Sequence, residues 1–151
     1  MSKTKVHLLH TNDLHSNFAQ VPKLAWQVKR LRQEWRRKGE EVMVLDIGDH
    51  IDRSHPITEG TLGRANLEVL REVGVDMVTL GNNEGLSFPR EHLVQLFSRA
   101  PFSVVLSNMK ALGEEGRPSW MKPFFRLEVQ GLRLGFLGVT AAFNDFYHLL
   151  G

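Results

Sequence analysis

The sequence of 151 residues contains no cysteine. This absence excludes disulfide frameworks, thiolate metal sites and cysteine nucleophiles, so any bound metal would have oxygen and imidazole ligands. No apolar run approaches the roughly 18 to 20 residues that a membrane-spanning helix needs, so we expect no membrane partner. Residues 6–10 contain two histidines and are too short and too polar for the apolar core of a signal peptide. We therefore expect a cytoplasmic protein.

Excess charge is confined to one segment. The composition, 42% hydrophobic and 24% charged, is that of a globular domain, with a net charge of +2 and a pI of about 9.2. Residues 23–40 contain seven lysines and arginines against two glutamates, a local charge of +5 that leaves −3 for the rest. These charges have the spacing of the solvated face of one amphipathic helix. We therefore expect no nucleic-acid partner.

Short apolar runs alternate with segments of helical spacing over the first hundred residues. Four runs are typical of buried strands, at residues 5–10, 42–47, 75–80 and 102–106. Segments with apolar residues three and four apart follow the first three runs, at residues 22–38, 62–73 and 89–97. Strands that alternate with helices favour a parallel sheet. We predict an α/β fold with a mainly parallel sheet and helical crossovers.

The remaining segments have other patterns. Residues 56–60 and 109–122 are polar or rich in glycine and proline, which predicts loops. Apolar residues then alternate over 125–129 and again over 132–136, with a glycine in the turn between them. This pattern is typical of an antiparallel hairpin, which we expect at the C-terminal end.

Small polar side chains that suit metal binding or turns follow each predicted strand: Asp13 and His15, then Asp49, then Asn82, Asn83 and Glu84, then Asn108. The carboxyl ends of parallel strands lie at one edge of the sheet, where ligands bind in open α/β folds. We therefore expect four segments that are distant in the sequence to meet at this edge.

Asp13 and His15 are two residues apart, so their side chains would point to the same side if the chain stays extended there. One carboxylate and one imidazole suit a divalent transition metal such as manganese, iron, zinc, cobalt or nickel. Asp49 has two oxygens and could bridge to a second metal, for which Asn82 offers a neutral oxygen. Such a two-metal site suits phosphate-ester hydrolysis. The same residue types are common in turns and helix caps, and the spacing alone does not decide between the two interpretations.

Three short motifs carry a resemblance to a known family. Residues 8–16 (LLHTNDLHS) resemble the opening motif of the 5′-nucleotidase family, within the calcineurin-like metallophosphoesterase superfamily. Residues 46–49 (DIGD) resemble its second motif, and residues 80–84 (LGNNE) its third, which normally reads Gly-Asn-His-Glu. The resemblance implies a sandwich of four layers, αββα, and a phosphoesterase that acts on nucleotides or related phosphate esters.

The resemblance also implies a centre with two divalent metal ions. Asp13 and His15 would bind the first ion, Asp49 would bridge the two, and Asn82 would bind the second. The identity of the metal stays open among manganese, zinc, iron, cobalt and nickel.

The third motif departs from the family pattern at two positions. Asn83 stands where the family has a histidine that stabilises the leaving group, and Leu86 stands where the family has that histidine's aspartate partner. Asn83 cannot act as an acid, but its amide could donate a hydrogen bond to a phosphoryl oxygen. Alternatively, His50 or His55 could replace the lost imidazole.

The family pattern places further histidine ligands in later segments that this sequence does not contain. We therefore expect residues 1–151 to form the first half of a catalytic domain, completed by a longer chain or by a second polypeptide. Half of the sandwich would leave an apolar sheet face uncovered, which invites self-association. The alternative function is accordingly a non-catalytic, truncated domain that serves in interaction or dimerisation.

Overall fold

The computed structural model describes residues 4–110 and 116–141 of the chain. Within them, five strands form one parallel sheet in chain order: β1 (Val6–Thr11), β2 (Glu41–Asp46), β3 (Met77–Val78), β4 (Ser103–Val105) and β5 (Met121–Lys122). Two further strands, β6 (Phe125–Val129) and β7 (Leu132–Phe136), form an antiparallel hairpin. The predicted α/β fold with a mainly parallel sheet and a hairpin is confirmed.

Five α-helices lie in the described part of the chain: α1 (Val21–Arg37), α2 (Pro56–Thr61), α3 (Arg64–Val73), α4 (Asn82–Ser87) and α5 (Arg90–Phe97); a short 3-10 helix, Phe18–Gln20, precedes α1. Pro22 lies in the first turn of α1, where its missing N–H leaves no helical hydrogen bond unmade. Gly74 ends α3 in the left-handed conformation, with a φ of 86°. No helix within residues 4–110 and 116–141 combines the length and the apolar character that crossing a membrane requires.

One face of the parallel sheet packs against α1, α3 and α5. Val28 of α1, Leu70 of α3 and Phe97 of α5 belong to one buried cluster. The same cluster contains Val44 of β2 and Val104 of β4, each only 1% exposed. Burial of this apolar surface is the main favourable term in folding, and it fixes the strand ends from which the polar loops emerge.

The opposite face of the sheet is covered in part by the hairpin. A second buried cluster joins strand residues to hairpin residues: Met43, Leu45, Met77 and Val105 with Phe125, Leu127 and Phe136. Leu8 pairs in register with Met43 but is 49% exposed. After β7, Leu137 and Val139 are 76% and 68% exposed. The expected uncovered apolar surface is therefore present among the described residues, while residues 142–151 lie outside them.

Three segments differ from the sequence-based expectation. Residues 56–60, predicted as a loop, belong to α2, because the His55 ring Nδ1 accepts the N–H of Ile57 and caps the helix, and Pro56 favours its first turn. Asn82, which was expected at a strand end, begins helix α4. Within the predicted loop 109–122, Met121 and Lys122 form β5, where the carbonyl of Lys122 accepts the N–H of Leu106 at 2.9 Å.

Leu106, at the end of β4, is fully buried in the larger cluster. We expect Leu106→Ala to lower the free energy of unfolding by about 2 to 5 kcal/mol, because it leaves a cavity in a packed core. Urea denaturation monitored by circular dichroism measures this loss. Leu132→Ala, at a hairpin position that is 40% exposed, is the matched control. It should lower the free energy of unfolding by only a small part of the loss expected for Leu106→Ala. Equal losses in the two variants would contradict this account of the core.

Candidate metal centre

The loops that follow β1 and β2 run side by side at the carboxyl edge of the sheet. The main-chain N–H of Asp13 donates to the carbonyl of Gly48, and the N–H of His15 donates to the carbonyl of Asp49, both at 3.0 Å. These bonds continue the pairing of β1 with β2 beyond the last strand residues. The first two motifs are thereby held together by their own backbones.

The backbone between these bonds is turned, not extended. Asp13, His15 and Ser16 have φ values of 52°, 44° and 55°, and Asp49 has a φ of 52°. The left-handed region is unfavourable for residues other than glycine, and such residues cluster at functional sites. The condition for the predicted alignment, an extended chain, is therefore not met, and Asp13 and His15 come together through a turn with positive φ values instead.

The structure brings together the three residues that the sequence proposed as the first and bridging ligands. Asp13, His15 and Asp49 each offer a ligand atom, and these atoms lie within 4.8 Å of one another. Nε2 of His15 faces Oδ1 of Asp13 at 3.8 Å. The side chains of Asp13 and His15 are 59% and 45% exposed, so an ion held there would be open to a substrate. That these residues bind metal stays a prediction.

Asn82 lies beside the carboxylate of Asp49. One terminal atom of its amide is 3.1 Å from Oδ2 of Asp49. If that atom is the nitrogen, it donates a hydrogen bond to the carboxylate; if it is the oxygen, two acceptors face each other and need a cation between them. That the amide oxygen of Asn82 binds an ion stays a prediction.

Two glycines allow the loops after β2 and β3 to touch. A Cβ on Gly81 would lie 2.2 Å from Oδ1 of Asp49, and a Cβ on Gly48 would lie 2.6 Å from the main-chain nitrogen of Gly81. Gly48 also has a φ of 106°, which other residues rarely adopt. The glycines before Asp49 and before Asn82 are thus required by close approach.

Glu84 fixes the same two loops from inside. Its carboxylate is 2% exposed and accepts three main-chain N–H groups, from Gly81 at 2.8 Å, Ile51 at 2.8 Å and Asp49 at 3.1 Å. Burial raises the pKa of Glu84, although these hydrogen bonds oppose the shift. The sequence placed Glu84 near the site but gave no sign of this role, because two of its partners, Asp49 and Ile51, are backbone groups of a different loop.

Asn83 is engaged with the ligand loops by both its backbone and its side chain. Its main-chain N–H donates to Oδ1 of Asp49 at 2.8 Å. Its amide nitrogen donates to the carbonyl of Ile51 at 3.1 Å and lies 3.1 Å from Nδ1 of His15. To donate to a phosphoryl oxygen, as the sequence suggested, the amide would have to exchange one of these contacts.

Asp52 faces Nδ1 of the His15 imidazole, whereas Asp13 faces Nε2. Its Oδ2 is 3.8 Å from Nδ1 of His15. Hydrogen bonds from Ser54 hold the pKa of Asp52 below its usual value, so the carboxyl group is ionised. Nδ1 of His15 therefore lies between this carboxylate and the amide nitrogen of Asn83, while Nε2 faces Asp13.

Neither histidine that was considered as a replacement for the lost imidazole joins the ligand group. His50 is not an exposed loop residue: it is 4% exposed, its Nε2 lies 2.9 Å from the carbonyl oxygen of Asn66, and burial lowers its pKa. His55 caps α2, and its ring packs edge-on against Phe18 with the ring centres 4.8 Å apart.

Asn108 has a structural role at the carboxyl edge. Its amide donates to the carbonyl of Thr140 at 2.8 Å and accepts the N–H of Thr140 at 3.0 Å. This reciprocal pair ties the segment after β7 to the end of β4. Asn108 is the fourth polar segment expected at this edge, and its side chain is engaged in hydrogen bonds to the backbone of Thr140.

Asp46 lies beneath the ligand loops and was not identified as a site residue from the sequence. It is 2% exposed, accepts the hydroxyl hydrogen of Thr11 at 2.7 Å and accepts the N–H of Gly48 at 3.2 Å. Burial raises the pKa of Asp46 to about 6, and the carboxylates of Asp13 and Asp49 add to the shift.

The sequence of the chain shows its family. Residues 6–134 match the calcineurin-like phosphoesterase family. The chain belongs to that family. The resemblance drawn from the three motifs is thereby confirmed, and this phosphoesterase domain holds Asp13, His15 and Asp49 together at the carboxyl edge of its sheet.

Two relatives illustrate the similarity of this phosphoesterase domain. It is 42% identical over 151 residues to the uncharacterized metallophosphoesterase YunD of Bacillus subtilis (strain 168), a match that covers 99% of this chain and 32% of that protein. It is 26% identical over 145 residues to a 5′-nucleotidase of Vibrio cholerae, a match that covers 90% of this chain and 25% of that protein. The chain therefore spans a third or less of the length of these relatives.

Solved structures support the same fold for this phosphoesterase domain. The NAD nucleotidase of Haemophilus influenzae superposes with a TM-score of 0.74 at 21% identity, over 91% of this chain and 26% of that one. A 5′-nucleotidase precursor from Thermus thermophilus superposes with a TM-score of 0.72 at 24% identity, over 89% of this chain and 28% of that one. At these identities the superpositions establish the fold alone.

The raised pKa of Asp46 predicts a pH-dependent stability in metal-free protein. The folded state retains the proton up to about pH 6, whereas the unfolded chain loses it near 3.8. The stability from this group is therefore fully present below about pH 4 and is lost as the pH rises to about 6, by roughly 3 kcal/mol.

Urea denaturation of the wild type and of Asp46→Asn in the presence of a chelator, at several pH values from 4 to 8, measures this loss. The amide introduced by the substitution does not titrate, so the difference between the two proteins should change across this window and stay constant above about pH 7. A difference that is constant from pH 4 to 8 would show that Asp46 titrates normally.

Proposed function

We propose that this phosphoesterase domain hydrolyses phosphate esters with two divalent metal ions, and that its substrates are nucleotides or related phosphate esters. The observation that carries the proposal is the convergence of Asp13, His15 and Asp49 at one edge of the sheet, with ligand atoms within 4.8 Å. Relatives that are named 5′-nucleotidases support the proposed class of substrate.

The donor set fits the proposed ions. Asp13 and His15 would hold the first ion, Asp49 would bridge, and Asn82 would contribute its amide oxygen to the second. Carboxylate, imidazole and amide donors suit manganese, iron, zinc, cobalt and nickel. Divalent ions at this edge would supply positive charge and Lewis acidity toward a phosphoryl group.

The chain's own residues prepare these ligands in three ways. The N–H of Asn83 occupies Oδ1 of Asp49, so Oδ2 is directed to the side where Asn82 lies. The amide nitrogen of Asn83 lies 3.1 Å from Nδ1 of His15 and limits rotation of the imidazole ring. The three hydrogen bonds to Glu84 hold the loop of Asp49 in place, which limits the reorganisation that ligand binding would require.

The direct test is hydrolysis of a panel of phosphate monoesters, diesters and nucleotides with added Mn²⁺, by wild type and Asp49→Ala. We expect Asp49→Ala to lower kcat/KM at least about 100-fold, because several kcal/mol of charge stabilisation depend on the bridging carboxylate. Glu68→Gln, which removes an exposed carboxylate of α3, is the matched control and should retain full activity.

Two results would contradict the proposal. Equal activity of the wild type and Asp49→Ala would place the chemistry elsewhere. A wild type that binds no Mn²⁺, Zn²⁺, Co²⁺ or Ni²⁺ and hydrolyses none of the panel would show that these residues do not form a working centre in this chain.

A second candidate function is interaction between two copies of this chain through the hairpin side of the sheet. The observation that favours it is the exposure of large apolar side chains there, with Leu8 at 49%, Leu137 at 76% and Val139 at 68%. Exposed apolar surface of this kind is stabilised by association. In this case the metal centre would be dispensable for the role of the chain.

Analytical ultracentrifugation over a range of concentrations tests the self-association. We expect the double variant Leu8→Glu and Leu137→Glu to shift the chain toward monomer, because each charge would have to be desolvated in the contact. Trp26→Glu, at a position of α1 that is 59% exposed, is the control on another surface and should leave the distribution unchanged. A wild type that is monomeric at all concentrations would exclude this candidate.

A further inference from the structure

A polar side chain is buried in the apolar face of α3. Asn66 is fully buried, with 0% of its surface exposed. Its neighbours on the helix, Leu67, Leu70 and Val73, are buried apolar residues. A buried amide is costly unless its hydrogen bonds are made, and a leucine or valine would suit this core better on grounds of packing alone. The partners of Asn66 therefore indicate what the amide contributes.

The partners of Asn66 lie in the ligand loops and in α2. Its amide nitrogen donates to Oγ of Ser16 at 2.9 Å and to the carbonyl of His50 at 3.4 Å. Its amide oxygen accepts the hydroxyl hydrogen of Thr58, itself 0% exposed, at 2.9 Å. Its main-chain oxygen lies 2.9 Å from Nε2 of His50. One helix residue thus contacts the residue after His15 and the residue after Asp49.

Ser16 is the point at which these contacts converge. Its Oγ accepts the N–H of Asp52 at 2.8 Å and lies 2.8 Å from the hydroxyl oxygen of Thr58. Its own N–H donates to the carbonyl of His50 at 2.9 Å. Ser16 is 2% exposed and has a φ of 55°. It is therefore a buried anchor for a strained turn that also contains Asp13 and His15, the exposed candidate ligands.

We propose that Asn66, supported by Thr58, is a positioning residue for the metal centre. Its amide anchors Ser16 and so holds the left-handed turn that presents Asp13 and His15 against the loop that presents Asp49. The inference rests on the proposed function for its metal-binding part, whereas the anchoring itself concerns the loop geometry alone.

Anchoring is needed because the turn is unfavourable by itself. Asp13, His15 and Ser16 all have positive φ, and residues other than glycine leave that region unless the surroundings hold them. Without the amide, Oγ of Ser16 keeps the N–H of Asp52 but loses its link to α3. The main-chain bonds from Asp13, His15 and Ser16 to the neighbouring loop would then open more often, into conformations in which the carboxylate of Asp13 and the imidazole of His15 no longer converge.

Asn66→Ala is the first variant to test, with two readouts. The first is hydrogen exchange in metal-free protein, measured for the amides of His15, Ser16 and Asp52 and compared with the core amide of Val44. The second is the dissociation constant for Mn²⁺, measured by electron paramagnetic resonance. We expect protection of the three loop amides to fall at least about tenfold relative to the core amide, and the dissociation constant to rise roughly 10- to 100-fold.

Further variants keep the test decisive if Asn66→Ala does not fold. Thr58→Val removes the hydroxyl that supports the amide, and Ser16→Ala removes the anchored oxygen; both should show the same two changes. Thr58→Ser keeps the hydroxyl and should resemble the wild type. Thr61→Val, on the same helix, is the matched control. It removes a half-buried hydroxyl that donates to the carbonyl of Ile57 and accepts the N–H of Ala65 in α3, and neither bond involves Ser16 or Asn66.

The outcomes separate positioning from general stability. Variants that are less stable overall but keep both the relative loop protection and a Mn²⁺ dissociation constant within about twofold of the wild type would overturn the inference. A wild type that binds no Mn²⁺ would refute the proposed function instead; the anchoring role would then be supported by selective loss of loop protection and overturned by its absence.

Discussion

The loops after β2 and β3 meet around one buried carboxylate, that of Glu84. Main-chain N–H groups of Asp49, Ile51 and Gly81 donate to it, and none of these groups lies in a strand, where the sheet could satisfy it. A buried carboxylate without donors would be strongly unfavourable, and so would three buried N–H groups without an acceptor. Neither loop can shift alone without leaving such groups unpaired. The positions of Asp49 and Asn82, and hence the proposed centre, depend on this arrangement.

The sequence was sufficient to predict the parts of the structure that follow from periodicity. The parallel strands, the main helices and the hairpin repeat simple apolar patterns, and packing against one face of the sheet realises them directly. Asp13, His15 and Asp49 were expected at one edge because parallel strands all end there. Short elements were not predicted for a physical reason. Helix α2 depends on a cap from the ring of His55, and a pattern of apolar residues gives no sign of such a cap.

What the sequence could not provide is the set of contacts between distant polar groups. Asn66 lies in an apolar helical pattern, and only its partners Ser16 and His50 reveal why an amide is there. Likewise, the spacing of Asp13 and His15 would align their side chains only on an extended path, whereas hydrogen bonds to the neighbouring loop stabilise a turn with positive φ values. Local propensity was overridden at these residues by tertiary contacts, which is common at functional sites.

The same edge of the sheet concentrates negative charge. Asp13 and Asp49 raise the pKa of Asp46 beyond the effect of its burial, and Asp49 does the same for Glu84. Repulsion among these groups opposes folding when no cation is present. A divalent ion held by Asp13 and Asp49 would remove that repulsion and would also favour the strained turn that brings the ligands together. Metal binding and the local fold would then stabilise each other, so that the ion needed for phosphoester chemistry is also the one that completes the structure of its site.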